Sequence, residues 1–185
     1  PALNFVLLNS NNRTDDYTPW PLQASETMPI DFGGKAEENL SFITTHVIPF
    51  CESEYGFASS AEKRVIGGYS LGGLFSLYAA VNTDLFGTVL SCSSSLWYPG
   101  FLDYLKEHLF NAAHPKLYMS VGNKEGTTAT NLTADQTLNT LALKDWIESK
   151  FQAGDFQFTL EEGNHGNNIS RRVERAVEWV EENSK

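Results

Sequence analysis

Short apolar runs and longer stretches of helical spacing alternate along this chain. Residues 3–8, 64–68, 86–91, 116–121 and 156–160 are compact apolar runs bounded by glycine, proline or polar residues, and they predict five strands. Between them the apolar period lengthens. Over residues 37–55, Leu40, Ile43, Val47, Phe50 and Cys51 recur at helical spacing, with Pro49 expected to kink or end the helix. Further helices are predicted from Leu71 to about Val81, over 101–110, and over 136–151 with Leu138, Leu141, Trp146 and Ile147 inward. A last helix over 168–183 carries Val173, Ala176, Val177 and Val180 on one face.

Strands that alternate with helices predict an α/β fold: a mainly parallel sheet covered on both faces, a three-layer sandwich. Functional groups then belong at the carboxyl ends of the strands. One stretch breaks the rhythm. Residues 9–32 form a long polar loop holding Pro19, Trp20, Pro21 and Pro29, and loops of that length usually carry function.

Size and charge narrow the picture. A length of 185 residues suits one domain, taken as 1–185. Thirteen basic residues stand against 23 acidic ones, a net charge of −10, with no basic patch. That argues against a nucleic-acid or anionic-membrane partner. No apolar run is long enough for a membrane span, and no signal-peptide pattern is visible at the start. Cys51 and Cys92 both lie in apolar stretches with no C-x-x-C, so they read as buried free thiols rather than metal ligands. N-x-S/T sequons occur at Asn12, Asn39, Asn131 and Asn168.

The candidate chemistry centres on Gly68-Tyr69-Ser70-Leu71-Gly72, a G-x-S-x-G pattern set between a predicted strand and a predicted helix. In that context the turn strains the serine and lifts its hydroxyl to the top of a sheet, while the helix points free N–H groups at the reacting centre. Gly68 and Gly72 are expected where passing backbone leaves no room for a Cβ. A serine nucleophile needs a base, and the base an orienting carboxylate. Of the four histidines, His46 and His108 fall within helices and His114 precedes Pro115. His165 lies directly after the fifth strand, between Asn164 and Gly166, and is the candidate base. Glu125, just after the fourth strand, is the candidate acid, with Asp103 as runner-up. The Leu71 N–H is the expected oxyanion donor. Tyr69, Trp97 and Trp20 are candidates for the pocket wall.

These residues resemble the putative-esterase family of α/β-hydrolases, which includes siderophore (enterochelin-type) esterases and S-formylglutathione hydrolase. The resemblance covers nearly the whole chain. It rests on Arg13-Thr-Asp-Asp-Tyr-Thr-Pro19, on residues 42–55 with Ile48-Pro49 and Glu52, and most specifically on residues 64–74. Phe86 with Ser93-Ser94-Ser95-Leu96-Trp97, Val121-Gly-Asn-Lys-Glu125 and Gly163-Asn-His-Gly166 complete it, with Ser94 where the family often has proline. The resemblance implies an α/β-hydrolase fold and cleavage of a small-molecule carboxylic ester or thioester through an acyl-enzyme on Ser70, with no metal or cofactor. An acyltransferase using the same triad is the enzymatic alternative. A binding protein that keeps the fold without catalysis is the alternative outside enzymes.

The resemblance also brings a departure. Such hydrolases usually have two or three strands and a helix before the equivalent of residues 3–8, one of them beside the elbow strand and followed by the second oxyanion donor. The chain looks shortened at its start. Pairing of residues 3–8 directly with 65–69 would close a five-stranded sheet, satisfy the backbone groups and bring the loop at 9–18 near Ser70.

Overall fold

The computed structural model describes residues 3–108, 115–152 and 154–183. In chain order they form α1 (Arg13–Asp16), β1 (Pro21–Leu22), β2 (Phe32–Gly33), α2 (Ala36–Phe42), a π-helical turn (Ile43–Val47) and α3 (Ile48–Tyr55). Then follow β3 (Val65–Tyr69), α4 (Leu71–Asn82), β4 (Thr88–Cys92), α5 (Phe101–His108), β5 (Lys116–Gly122), α6 (Gln136–Glu148), β6 (Phe156–Glu161) and α7 (Ile169–Asn183). The expected end of α5 at Phe110, and His114, lie outside the described residues.

The main sheet is parallel, in the order β3-β4-β5-β6. Its two faces sort the side chains by alternation. Val89, Leu117 and Met119 join a large core with α2, α4, α5 and α6. Leu90, Cys92 and Tyr118 point the other way, onto Ala176 and Val180 of α7. Helices therefore cover both faces, which is the three-layer α/β-hydrolase arrangement predicted. Apolar and small residues surround α4 on every side, and nine of its twelve residues are buried. Such a helix suits the centre of the core rather than its surface.

The register is what positions the site. Tyr69 lies beside Cys92, Cys92 beside Ser120, and Gly122 beside Glu161. The carboxyl ends of all four strands are thus nearly level, and the loops that follow them open at one rim.

Three expectations need correcting. First, no strand forms at residues 3–8, and they do not pair with β3. A strand is held by its ladder, and here the segment runs apart from the sheet. Phe5, Val6, Leu7 and Leu8 are exposed, Leu7 to 91%. The bonds Thr88 N–H to Arg64 O and Ser70 N–H to Cys92 O show that the even-numbered residues of β3 face β4. Val65, Gly67 and Tyr69 therefore turn their backbone groups to the outer edge. Between that edge and residues 3–8 lies an open cavity of about 1410 Å³, lined by Leu3, Val6, Leu7, Val65, Gly67 and Phe75 among others. Among the described residues the sheet has four strands, not five, and the pairing that would carry the 9–18 loop to Ser70 is not formed.

Second, of the two outcomes expected at Pro49, an end to the helix over 37–55 does not occur. The π-helical turn at Ile43–Val47 sits just ahead of the proline. Its wider winding relieves the clash between the proline ring and the preceding turn. Third, Leu138 is 65% exposed, while α6 buries Gln136, Thr140, Leu143 and Ile147. Likewise α7 buries Arg172, Ala176 and Val180, leaving Val173 exposed. The residues 9–32, read as an open loop, hold α1 and the small antiparallel ribbon of β1 and β2, with Thr18, Met28 and Phe32 buried.

Candidate active site

Ser70 stands between β3 and α4 at φ 61° and ψ −122°. This is a sparsely populated region for a residue with a Cβ, at a cost of about 1–3 kcal/mol. The surroundings hold it there. Its N–H donates to Cys92 O at 3.0 Å, and its carbonyl accepts from the N–H groups of Leu74 and Ser95 at 3.0 and 3.2 Å. Close backbone packing requires glycine at Gly68, where a Cβ would come within 2.3 Å of the Gly72 carbonyl carbon. Gly72 departs from the expectation: a Cβ there would meet nothing within 4 Å. The second crowded glycine is Gly73, whose Cβ would strike the Ser94 hydroxyl at 2.2 Å.

Two loops bring the chemistry to Ser70. The loop after β6 carries His165, whose Nε2 lies 3.0 Å from Ser70 Oγ. Its Nδ1 lies 2.7 Å from Glu125 Oε2, supplied by the loop after β5. These two loops are stitched together. Asn123 N–H donates to Glu161 O at 2.8 Å, Lys124 N–H to Gly163 O at 3.0 Å, and Gly163 N–H to the Asn123 side chain at 3.0 Å. The structure thus brings together Ser70, His165 and Glu125. The runner-up acid, Asp103, is exposed on α5.

The two ends of the relay differ in their access to water. The Glu125 side chain is fully buried, whereas the His165 side chain is 45% exposed. Burial pushes the Glu125 carboxyl up. Hydrogen bonds from His165, the Gly122 N–H and Ser93 outweigh that and leave its pKa below the ordinary 4.5. Glu125 is therefore an ionised carboxylate at neutral pH, able to hold the Nδ1–H tautomer of His165.

Leu71 begins α4, so its N–H has no partner inside the helix and points at the same rim. Tyr69 stands behind the histidine: its hydroxyl donates to the His165 carbonyl at 2.5 Å, and the two rings are 5.1 Å apart. Burial raises its phenol above the ordinary 10.0, so it remains a protonated donor. Trp97 is partly buried against Phe32, with ring centroids 5.9 Å apart. Trp20, partly buried, packs among Tyr98, Phe101 and Tyr104 at the margin of the core and donates to Pro99 O at 3.1 Å. Cys92, beneath the rim, is buried, and its thiol is pushed up to about 11, which keeps it unreactive. Among the described residues no group of three His, Cys, Asp or Glu side chains is placed to hold a metal ion.

Two residues of the site were not found from the sequence. Ser93 donates to Glu125 Oε1 at 2.7 Å, and Arg172 donates to the same oxygen at 2.7 Å. Ser93 is one of three successive serines with nothing in the pattern to single it out. Arg172 lies on a charged helix, where arginine normally marks the solvent face.

Residues 4–167 match the family described as Putative esterase. An uncharacterised Bacillus subtilis protein, YbbA, is 28% identical over 184 residues, covering 97% of this chain and 74% of its own length. A siderophore enterobactin esterase of Emericella nidulans is 33% identical over 119 residues, covering 60% of this chain and 39% of its own. Among solved structures, the siderophore hydrolase EstA of Aspergillus nidulans superposes with a TM-score of 0.74 at 22% identity, over 94% of this chain and 67% of that one. At that identity the likeness is one of fold.

Proposed function

We propose that this chain, which belongs to the Putative esterase family, is a serine hydrolase that cleaves a small-molecule carboxylic ester or thioester through an acyl-enzyme on Ser70. One observation carries the reading: the unbroken line from Ser70 Oγ through His165 to the buried carboxylate of Glu125, at 3.0 and 2.7 Å. The strained backbone of Ser70 belongs with it, since such strain is held where a side chain must be presented in one orientation.

In the first half-reaction His165 Nε2 takes the Ser70 proton as Oγ attacks the acyl carbon. The Leu71 N–H donates to the developing oxyanion, an interaction worth about 3 kcal/mol of transition-state stabilisation. Glu125 stays ionised and steadies the imidazolium. His165 then passes its proton to the departing alcohol or thiol. In the second half-reaction His165 takes a proton from water, the hydroxide attacks the acyl-enzyme, and the proton returns to Ser70 Oγ. An alcohol in place of water would make the same intermediate an acyl-transfer donor. The name of the fungal relative, a siderophore enterobactin esterase, supports ester cleavage as the reaction class.

A fluorophosphonate tests the reading. It should label the protein once, at Ser70, with labelling abolished in Ser70→Ala and strongly slowed in His165→Ala. A folded protein that takes no label would be a binding module with an idle serine, and the proposal would fall.

A further inference from the structure

Arg172 is the largest fully buried side chain among the described residues. Its side chain is 1% exposed, and it faces Glu125, whose side chain is not exposed at all. A buried pair of this kind is easily dismissed as structural, but its connections run to both ends of the His165–Glu125 contact. Nη1 donates to Glu125 Oε1 at 2.7 Å, to Ser93 Oγ at 2.9 Å and to Tyr69 Oη at 3.1 Å. Nη2 donates to the carbonyl of Asn164, the residue just before His165, at 3.0 Å.

Each of those contacts constrains the histidine. Glu125 Oε1 receives Arg172, Ser93 and the Gly122 N–H, each at 2.7 Å. That oxygen is saturated, so only Oε2 is left for His165 Nδ1. Tyr69, which accepts from Arg172, donates in turn to the His165 carbonyl at 2.5 Å. The Asn164 carbonyl is gripped directly. The backbone is shaped around this fork: a Cβ at Gly122 would come within 2.7 Å of Arg172 Nη2 and 3.0 Å of Glu125 Oε1. A lysine offers a single donor point and cannot span Glu125 and Asn164 O in the same way.

We propose that Arg172 is a positioning residue, holding the acid and the histidine loop in one register so that Glu125 presents a single free oxygen to His165; this rests on the reading of Ser70, His165 and Glu125 as the catalytic unit. Arg172 touches neither substrate nor the reacting atoms. Its loss should therefore weaken turnover rather than binding.

The test uses Arg172→Lys and Arg172→Met in the full chain, with two readouts. Steady-state kinetics on a short p-nitrophenyl ester should show kcat falling by on the order of tenfold to a hundredfold, with KM within about twofold. Proton NMR should show the His165 Nδ1–H, bonded to Glu125, as a far-downfield resonance that His165→Ala removes. In Arg172→Lys that resonance should move or broaden. In Arg172→Met it should be lost to exchange. If Arg172→Met does not fold, Arg172→Lys, which keeps the charge but not the fork, carries the test alone. A folded Arg172→Lys with unchanged kcat and an unchanged resonance would overturn the inference. The two failures are distinguishable. Wild-type protein that takes no fluorophosphonate label removes the catalytic reading and this inference with it. Labelled wild-type protein beside an unaffected Arg172→Lys removes this inference alone.

Discussion

The two flanks of the nucleophile's strand are built in opposite ways. On the side of β4, β5 and β6 every strand is paired, the rim loops are bonded to one another, and a buried arginine is ion-paired with a buried glutamate. On the outer side β3 presents an unpaired edge across an open cavity to the exposed apolar residues 3–8. Ser70 sits at the boundary. Its hydrogen-bonded line through His165 to Glu125 runs wholly into the closed flank. The open flank borders Gly68, Tyr69 and Gly72 of the elbow. The contacts of Ser70 with His165 and of His165 with Glu125 thus form without any pairing along the outer edge of β3. The contrast also separates two kinds of cost: polar atoms that must stay partnered on one side, and apolar surface that stays wet on the other.

The largest expected effects break the closed flank at its chemistry. Ser70→Ala and His165→Ala should each lower kcat/KM on a short p-nitrophenyl ester by about a thousandfold or more, because the three groups act as a unit. Glu125→Gln should also lose heavily: Arg172, Ser93 and the Gly122 N–H hold the amide oxygen, which turns its NH2 toward His165 Nδ1 and fixes the wrong tautomer. Asp103→Asn, on an exposed helix position, should leave the rate unchanged. A greater loss from Asp103→Asn would assign the acid elsewhere.

Next in size is the stability of the closed flank. Arg172→Met strands the Glu125 carboxylate in the interior, and removing one partner of a buried pair typically costs about 3–5 kcal/mol. Urea unfolding should show that loss, whereas Val65→Thr on the open edge should change stability by about 0.5 kcal/mol or less. Equal effects at the two positions would erase the contrast between the flanks.

The pH dependence follows from the same carboxylate. The pKa of Glu125 is lower in the folded protein than the ordinary 4.5. The unfolded chain therefore binds its proton more readily, and the stability this group contributes is fully present above about 4.5. It is lost as pH falls below that value, through the depressed folded pKa. Urea midpoints measured from pH 6 down to pH 3 should fall less steeply at the acid end in Glu125→Gln than in the wild type.

The smallest effect on stability belongs to the open flank. Phe5→Ser and Leu7→Ser remove exposed apolar side chains and should shift unfolding by about 0.5 kcal/mol or less. They should also reduce self-association in sedimentation, because an apolar edge region left wet favours contact with other chains.

Most of the fold could be read from the sequence where local pattern and tertiary need agree. The four paired strands, the long helices and the G-x-S-x-G turn are of that kind. That Ser70, His165 and Glu125 would meet could be read because each follows a strand's carboxyl end in a parallel sheet, and those ends share one rim. The pattern misled where partnering decides. Residues 3–8 have the composition of a strand, yet a strand exists only beside another. Pro49 has the signature of a helix end, yet a π-helical turn accommodates it. Arg172 was hidden because its helix position, three residues before Arg175 and flanked by charge, reads as solvent-facing. Only the fold shows that the arginine turns inward to the one buried carboxylate of the site. The ring contacts of Trp20 with Tyr98, Phe101 and Tyr104 were not legible either, since they join residues some eighty positions apart.

The most direct test of the central claim is to trap the intermediate. Rapid-quench intact-mass analysis during turnover of a p-nitrophenyl ester should show a transient adduct of one acyl group, mapped by peptide sequencing to Ser70 and absent from Ser70→Ala. In Glu125→Gln the same adduct should form more slowly. Turnover without an adduct on Ser70, or with an adduct on another residue, would contradict the account.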